Sequence, residues 1–223
     1  MGSTLTLTAE DGHQLDAYRA DPVGEAKGSV VVIQEIFGVN VHIRDVCDRF
    51  AAAGYIALAP ALFDRLEKGI ELDYVPADIE RGRDLVTDLG WDDPIKDVRA
   101  AALALRPDMK VGVTGYCWGG SVTWLAACRL ELAAASVYYG RHIPDFLDEK
   151  SRCPIIMHFG EHDASIPLAA VSRIQTENPM VPIHVYPAGH GFNCDRRKDY
   201  HAESAALAWS RTLELFGKHL SAA

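Results

Sequence analysis

The sequence predicts an α/β fold: a mostly parallel central sheet with helices on both faces and an antiparallel hairpin at the N-terminus. Three observations carry that prediction. Short apolar runs of strand type alternate with helix-spaced segments along the 223 residues, the pattern of a parallel sheet with right-handed crossovers. Val30-Val31-Val32-Ile33 is apolar at every position, as a strand buried on both faces requires. Several of these runs also end abruptly in glycine or polar residues, at Gln34-Glu35, Gly115-Tyr116-Cys117, Gly160-Glu161-His162-Asp163 and Gly189-His190. Open α/β sheets place their ligands just past the C-terminal ends of strands.

The elements follow in order. Residues 4–8 and 13–19 alternate around Asp11-Gly12, a hairpin-turn dipeptide. After the turn at Ala26-Lys27-Gly28 comes the buried strand at 29–33, and then a helix over 41–53 with Ile43, Val46, Phe50 and Ala53 on one side and Gly54 at its end. Tyr55 to Ala59 is a strand stopped by Pro60. The charged stretch 61–92 is the least legible, with a helix over 78–89. Trp91-Asp92-Asp93-Pro94 starts a helix, with aspartate to cap it and proline in its first turn, that runs through Val98, Ala101, Ala102 and Leu105 to Arg106-Pro107. A strand entering at Val111 turns sharply into an apolar helix at 121–128. Strands at 133–139, 154–159 and 182–186, a helix over 168–177 and a long amphipathic helix over 199–218 complete the chain.

Length and the absence of a linker or repeat point to a single domain over residues 1–223. The hydrophobic fraction of 48% is enough for a large core. A net charge of −9 argues against nucleic acid and anionic membrane surfaces as partners, because both select clustered Lys and Arg. No apolar run reaches the length of a membrane span, and the N-terminus lacks the basic-then-apolar order of a signal peptide. The five cysteines, an odd count without a C-x-x-C pair, read as free thiols in a reducing cytoplasm. No histidine pair has H-E-x-x-H spacing, so neither metal nor cofactor is expected. No stripe specific to a dimer is evident, which leaves monomer or homodimer.

The chemistry-bearing stretch is Gly115-Tyr116-Cys117-Trp118-Gly119-Gly120. Gly-x-Cys-x-Gly between a strand and a helix is the nucleophile elbow of the α/β-hydrolase fold, with cysteine in place of serine. Glycines are needed there because the turn brings backbone against backbone, and the helix N-terminus favours an anionic sulfur. Cys117, Asp163 and His190 follow in the chain order nucleophile, acid, histidine. Histidine would take the thiol proton and later protonate the leaving group, and aspartate would fix its tautomer. Oxyanion donors would be the backbone N–H groups of Trp118 and Ile36. Asp163 could instead close a turn, with Glu161 as a rival acid, and Cys117 could be a buried structural thiol. His158, His162, His184 and His201 read as structural or surface residues. Glu35, a carboxylate at a buried strand's end, would repel a thiolate and keep Cys117 protonated at rest.

These segments resemble the dienelactone hydrolase family (carboxymethylenebutenolidases) over nearly the whole chain. Gln34-Glu35-Ile36-Phe37-Gly38-Val39-Asn40 is similar to its oxyanion and glutamate loop, and the Cys117 elbow, Tyr138-Tyr139-Gly140 and Ala188-Gly189-His190-x-Phe192 also match. The resemblance implies a seven- or eight-stranded α/β-hydrolase sheet, a Cys-His-Asp triad, a glutamate hydrogen-bonded to the resting thiol, and hydrolysis of an unsaturated lactone by an acyl-enzyme. It also implies substrate contacts at Phe37 and at an arginine in the 78–85 segment, Arg81 or Arg83, with Arg81 preferred. The sequence departs from the family where an arginine stands four residues after the histidine. That position is Cys194, and Arg196 and Arg197 are out of register. The expectation is thus a cysteine-dependent hydrolase of a lactone or small ester. The rivals are a broad-specificity carboxylesterase and a non-catalytic thiol redox sensor on the same fold.

Overall fold

The computed structural model describes residues 2–105 and 109–220. Its eight strands are β1 Ser3–Thr8, β2 Gln14–Ala20, β3 Ser29–Ile33, β4 Ile56–Pro60, β5 Val111–Tyr116, β6 Ala134–Tyr138, β7 Ile155–Gly160 and β8 Ile183–Tyr186. The helices are α1 Val41–Ala52, α2 Pro76–Leu89, α3 Asp92–Leu105, α4 Trp118–Arg129, α5 Leu168–Glu177 and α6 Ala202–His219. The expected extension of α3 into Arg106-Pro107 falls outside the described residues.

One sheet holds all eight strands in the order β1-β2-β4-β3-β5-β6-β7-β8. β1 and β2 form the antiparallel hairpin, β2 runs antiparallel to β4, and the remaining pairs are parallel. This is the α/β-hydrolase fold. The hairpin turns where Asp11-Gly12 predicts it: Gly12 adopts φ 84° and donates to the Ala9 carbonyl at 2.9 Å.

Both faces of the sheet are covered, and β5 shows how. A side chain at Gly112 would run into Phe216 and Leu220 at the C-terminal end of the chain, whereas one at Gly115 would run into Gly119 and Thr123 of α4. Strand side chains alternate, so these odd-spaced positions face opposite ways. α1 joins α6 on the first face, where Phe50 packs on Trp209 and Phe216 with ring centroids 4.5 and 5.9 Å apart. α3 packs beside α4 on the second. α4 is buried from Trp118 to Cys128, which explains why its sequence is apolar all round rather than striped. β3, β5, β6 and β7 are buried along their whole length.

The strand order sets the position of the site. From β3 the chain crosses to β4 on one side, and from β5 it proceeds to β6, β7 and β8 on the other. Connections therefore diverge above the adjacent ends of β3 and β5, leaving a crevice at that switch point. Glu35 and Ile36 rise from the first strand end and Cys117 from the second. The buried Gln34 side chain anchors the first loop by accepting the Leu62 N–H at 3.0 Å.

Candidate active site

The elbow is built from backbone crowding. A Cβ at Gly115 would collide with the Gly119 carbonyl, and one at Gly119 with the Gln34 and Ile33 carbonyls. Only glycine lets β5, α4 and the loop after β3 approach so closely. Cys117 itself takes φ 55° and ψ −119°, a left-handed conformation unfavourable for a side chain. It is held by its N–H to the Tyr138 carbonyl at 3.1 Å and by the Gly120 N–H on its own carbonyl at 2.9 Å. The strain turns the sulfur out of the sheet toward the crevice. Trp118 is the first residue of α4, so its N–H has no intrahelical acceptor. Trp118 and Ile36 both line the cavity beside Cys117.

The structure brings the three predicted polar tips together. The Cys117 sulfur lies 3.1 Å from His190 Nε2, and His190 Nδ1 lies 2.7 Å from Asp163 Oδ2. Asp163 also serves the turn that was its alternative reading: its Oδ1 accepts the Ser165 and Ile166 N–H groups at 2.7 and 3.1 Å. One carboxylate does both jobs, one oxygen each, and the turn bonds aim the second oxygen. Glu161 is exposed. Burial on its own would lower the His190 pKa, but the Cys117 sulfur and the Asp163 carboxylate outweigh it and raise it to about 10.

A cavity of about 420 Å³ opens over this group. Its apolar wall includes Ile36, Phe37, Ile79, Val86 and Trp118. Arg83, Arg141, Arg197 and Lys198 also line it, against the single carboxylate of Asp199. A chain of net charge −9 thus turns a cationic surface toward Cys117. His162, expected to be a bystander, lines the cavity too.

Arg197 is the cation best placed to select a ligand. Its side chain is 17% exposed and its Nη1 lies 3.3 Å from Glu35 Oε1. Its guanidinium lies 6.0 Å from the Phe37 ring centre and 5.8 Å from that of Tyr74. Burial opposes the charge, but Glu35 and Cys117 hold it, with the pKa raised. This arginine is out of register in sequence because the loop after His190 makes two successive tight turns, closed by Cys194 N–H to the Gly191 carbonyl at 2.9 Å and Arg197 N–H to the Cys194 carbonyl at 3.1 Å. The turns fold residue 197 back over residue 191, so that the guanidinium packs on Gly191.

Two expectations require correction. Arg81 does not line the cavity; it pairs with Glu67 at 2.6 Å on the surface. Arg83 lines it instead, because two residues along a helix rotate a side chain by about 200°. Glu35 does not hydrogen-bond the Cys117 thiol: its Oε1 meets Arg197, its Oε2 is without a hydrogen-bond partner among the described residues, and the sulfur meets His190. Phe37 lines the cavity, with its ring against Tyr74 at 4.6 Å. Cys194, the departure from the family pattern, is buried and donates its S–H to the Tyr74 oxygen at 3.3 Å. Its thiol pKa is pushed up to about 11 by burial and by neighbouring Glu35. All five cysteines are free.

The model of the "Dienelactone hydrolase family" matches residues 15–220. A "Putative carboxymethylenebutenolidase" of Synechocystis sp. is 37% identical over 239 residues, covering 98% of this chain and 97% of the relative. A protein of the same description from Escherichia coli strain K12 is 37% identical over 242 residues, covering 96% and 86%. The solved structure of a "Putative Dienelactone Hydrolase" from Klebsiella pneumoniae subsp. pneumoniae superposes with a TM-score of 0.83 at 32% identity, over 97% of this chain and 100% of that one. The chain is a hydrolase and belongs to the dienelactone hydrolase family.

Proposed function

We propose that the protein hydrolyses a small lactone or ester that carries a carboxylate, with Cys117 as nucleophile. The observation that carries this reading is the continuous chain Cys117 Sγ, His190, Asp163, at 3.1 and 2.7 Å, opening into a cationic cavity. Arg197 takes the substrate carboxylate, since a guanidinium matches its planar fork. That places the carbonyl carbon over Cys117.

The Cys117 proton passes to His190 Nε2 and the sulfur bonds to the carbonyl carbon. The resulting oxyanion is received by the Ile36 and Trp118 N–H groups, which develop their full strength only as charge appears. The carbon–oxygen bond then breaks, and the His190 proton goes to the leaving alkoxide, which in a lactone stays tethered as a hydroxyl. A water, losing its proton to His190, attacks the thioester. The acid departs and the sulfur recovers its proton. Asp163 orients His190 and stabilises its protonated form, so that Nε2 takes and returns the proton at each transfer. Glu35 acts through Arg197: a bound carboxylate shares the guanidinium and loosens the pair, so binding is felt at Glu35.

The test is turnover of a panel of unsaturated lactones and p-nitrophenyl esters, each as free carboxylate and as its methyl ester. Wild type should prefer the carboxylates, and Arg197→Met should abolish the preference by losing about 10–100-fold in kcat/KM on the carboxylates alone. Equal rates on both forms would remove the carboxylate from the reading. No turnover of any ester or lactone would remove the hydrolytic role of Cys117.

A further inference from the structure

Behind Arg197, the Glu35 carboxylate, the His42 imidazole and the Cys194 thiol each bring one ligand atom to within 4.8 Å of the others. All three are buried, with Glu35 1% exposed and His42 and Cys194 0%. Among the described residues, Glu35 Oε2 and both ring nitrogens of His42 lack a hydrogen-bond partner. A buried polar atom left unpaired costs on the order of 1–3 kcal/mol. An unpartnered carboxylate oxygen and an unpartnered imidazole beside a buried thiol describe a site with an occupant. The proposed hydrolysis uses neither His42 nor Cys194.

We propose that Glu35, His42 and Cys194 form a binding site for one zinc-class divalent ion. A thiolate, an imidazole and a carboxylate are the donor set of zinc, whereas magnesium and calcium select oxygen alone. Glu35 can serve two cations at once, Arg197 on Oε1 and the metal on the unpartnered Oε2. His42 Nδ1 lies 3.9 Å from Asp195 Oδ1, beyond hydrogen-bond reach; with Nε2 on the ion, Asp195 would be the carboxylate to orient the ring as the side chains draw inward. Ligand atoms around a tetrahedral zinc lie roughly 3.5 Å apart, so the three side chains draw inward on binding. Cys194 gives up its thiol proton to solvent, and no electrons move. Two anionic ligands neutralise the ion, which makes its burial tolerable. The ion would tie α1 to the loop after β3, which bears Ile36, and to the loop after β8, which bears His190 and Arg197.

The experiment is a cobalt(II) titration of the full-length protein, read by absorption, on wild type and on Cys117→Ala, Cys194→Ala and His42→Ala. The expected result is a thiolate-to-cobalt charge-transfer band saturating at one equivalent in wild type and unchanged in Cys117→Ala. It should vanish in Cys194→Ala and weaken by at least about tenfold in affinity in His42→Ala. Zinc should displace the band and raise the unfolding temperature of wild type. Because the Cys194 variant could fail to fold, zinc-edge X-ray absorption of wild type gives a second reading, with one sulfur among nitrogen and oxygen neighbours expected. A wild type without the charge-transfer band, or a zinc shell without sulfur, would overturn the site and leave the orphaned atoms to internal water. A band that survives in Cys194→Ala and disappears in Cys117→Ala would also overturn it, by placing the ion on the candidate active site.

Discussion

Arg197 rests on Glu35, Nη1 to Oε1 at 3.3 Å, and the same guanidinium lines the cavity into which the Cys117 sulfur opens. The carboxylate at the end of β3 is therefore partnered by a cation from the far side of the sheet, and its influence on the sulfur is tempered by that cation. Removing the Glu35 charge leaves the full positive field of Arg197 beside Cys117, which favours the anionic sulfur. Alkylation of Glu35→Gln by iodoacetamide at neutral pH should be several-fold faster than that of wild type. An unchanged rate would separate Glu35 from the reactivity of Cys117.

His190 links the site to stability. Its pKa is raised to about 10 in the folded chain, against about 6.5 in the unfolded one. The stabilisation is complete below about pH 6.5 and is lost as pH rises toward 10, because the folded state binds the extra proton across that window. Urea unfolding at intervals from pH 6 to pH 10 should show wild type losing stability with rising pH more steeply than Cys117→Ala, which lacks the sulfur that helps to raise the His190 pKa. Parallel curves for the two proteins would contradict this assignment.

Asp163 separates positioning from folding. Asparagine keeps an oxygen for the Ser165 and Ile166 N–H groups but presents an amide to His190 Nδ1. That favours the wrong imidazole tautomer. Asp163→Asn should lose roughly 10²–10⁴-fold in kcat on an activated ester, with little change in thermal stability. A fall in both would assign Asp163 to the turn alone.

Gly119 tests the crowding at the elbow. An added methyl group meets two backbone carbonyls, Gln34 and Ile33, neither of which can swing aside as a side chain would. Gly119→Ala should destabilise the protein by about 1–3 kcal/mol and displace the Ile36 loop, so activity falls further than stability explains. Calorimetry and ester kinetics on the same sample check both parts.

Much of this molecule is legible in the chain, for identifiable reasons. β3 and β5 to β7 are buried on both faces, so their apolar runs leave little alternative. Cys117, Asp163 and His190 stand out because each sits where a strand stops and glycine begins. What escapes the sequence is what depends on turns and rotation. Arg197 reaches the cavity by two tight turns that no register argument can follow, and Arg83 replaces Arg81 because of helical phase. His42 and Cys194 meet Glu35 from distant parts of the chain, and the pattern rules for metal ligands look only at local spacing. The hydrogen bond expected between Glu35 and the thiol is absent for a related reason: Glu35 Oε1 meets Arg197, a cation that was invisible in one dimension.

The account rests on Cys117 forming a covalent acyl intermediate. The most direct measurement is acid quenching of wild type within one turnover of p-nitrophenyl acetate, followed by peptide mass analysis. The account predicts an acetyl group on the peptide containing Cys117, released on longer incubation, labile to hydroxylamine and absent in Cys117→Ala. Turnover that continues in Cys117→Ala, or an acetyl group found on another residue, would contradict it.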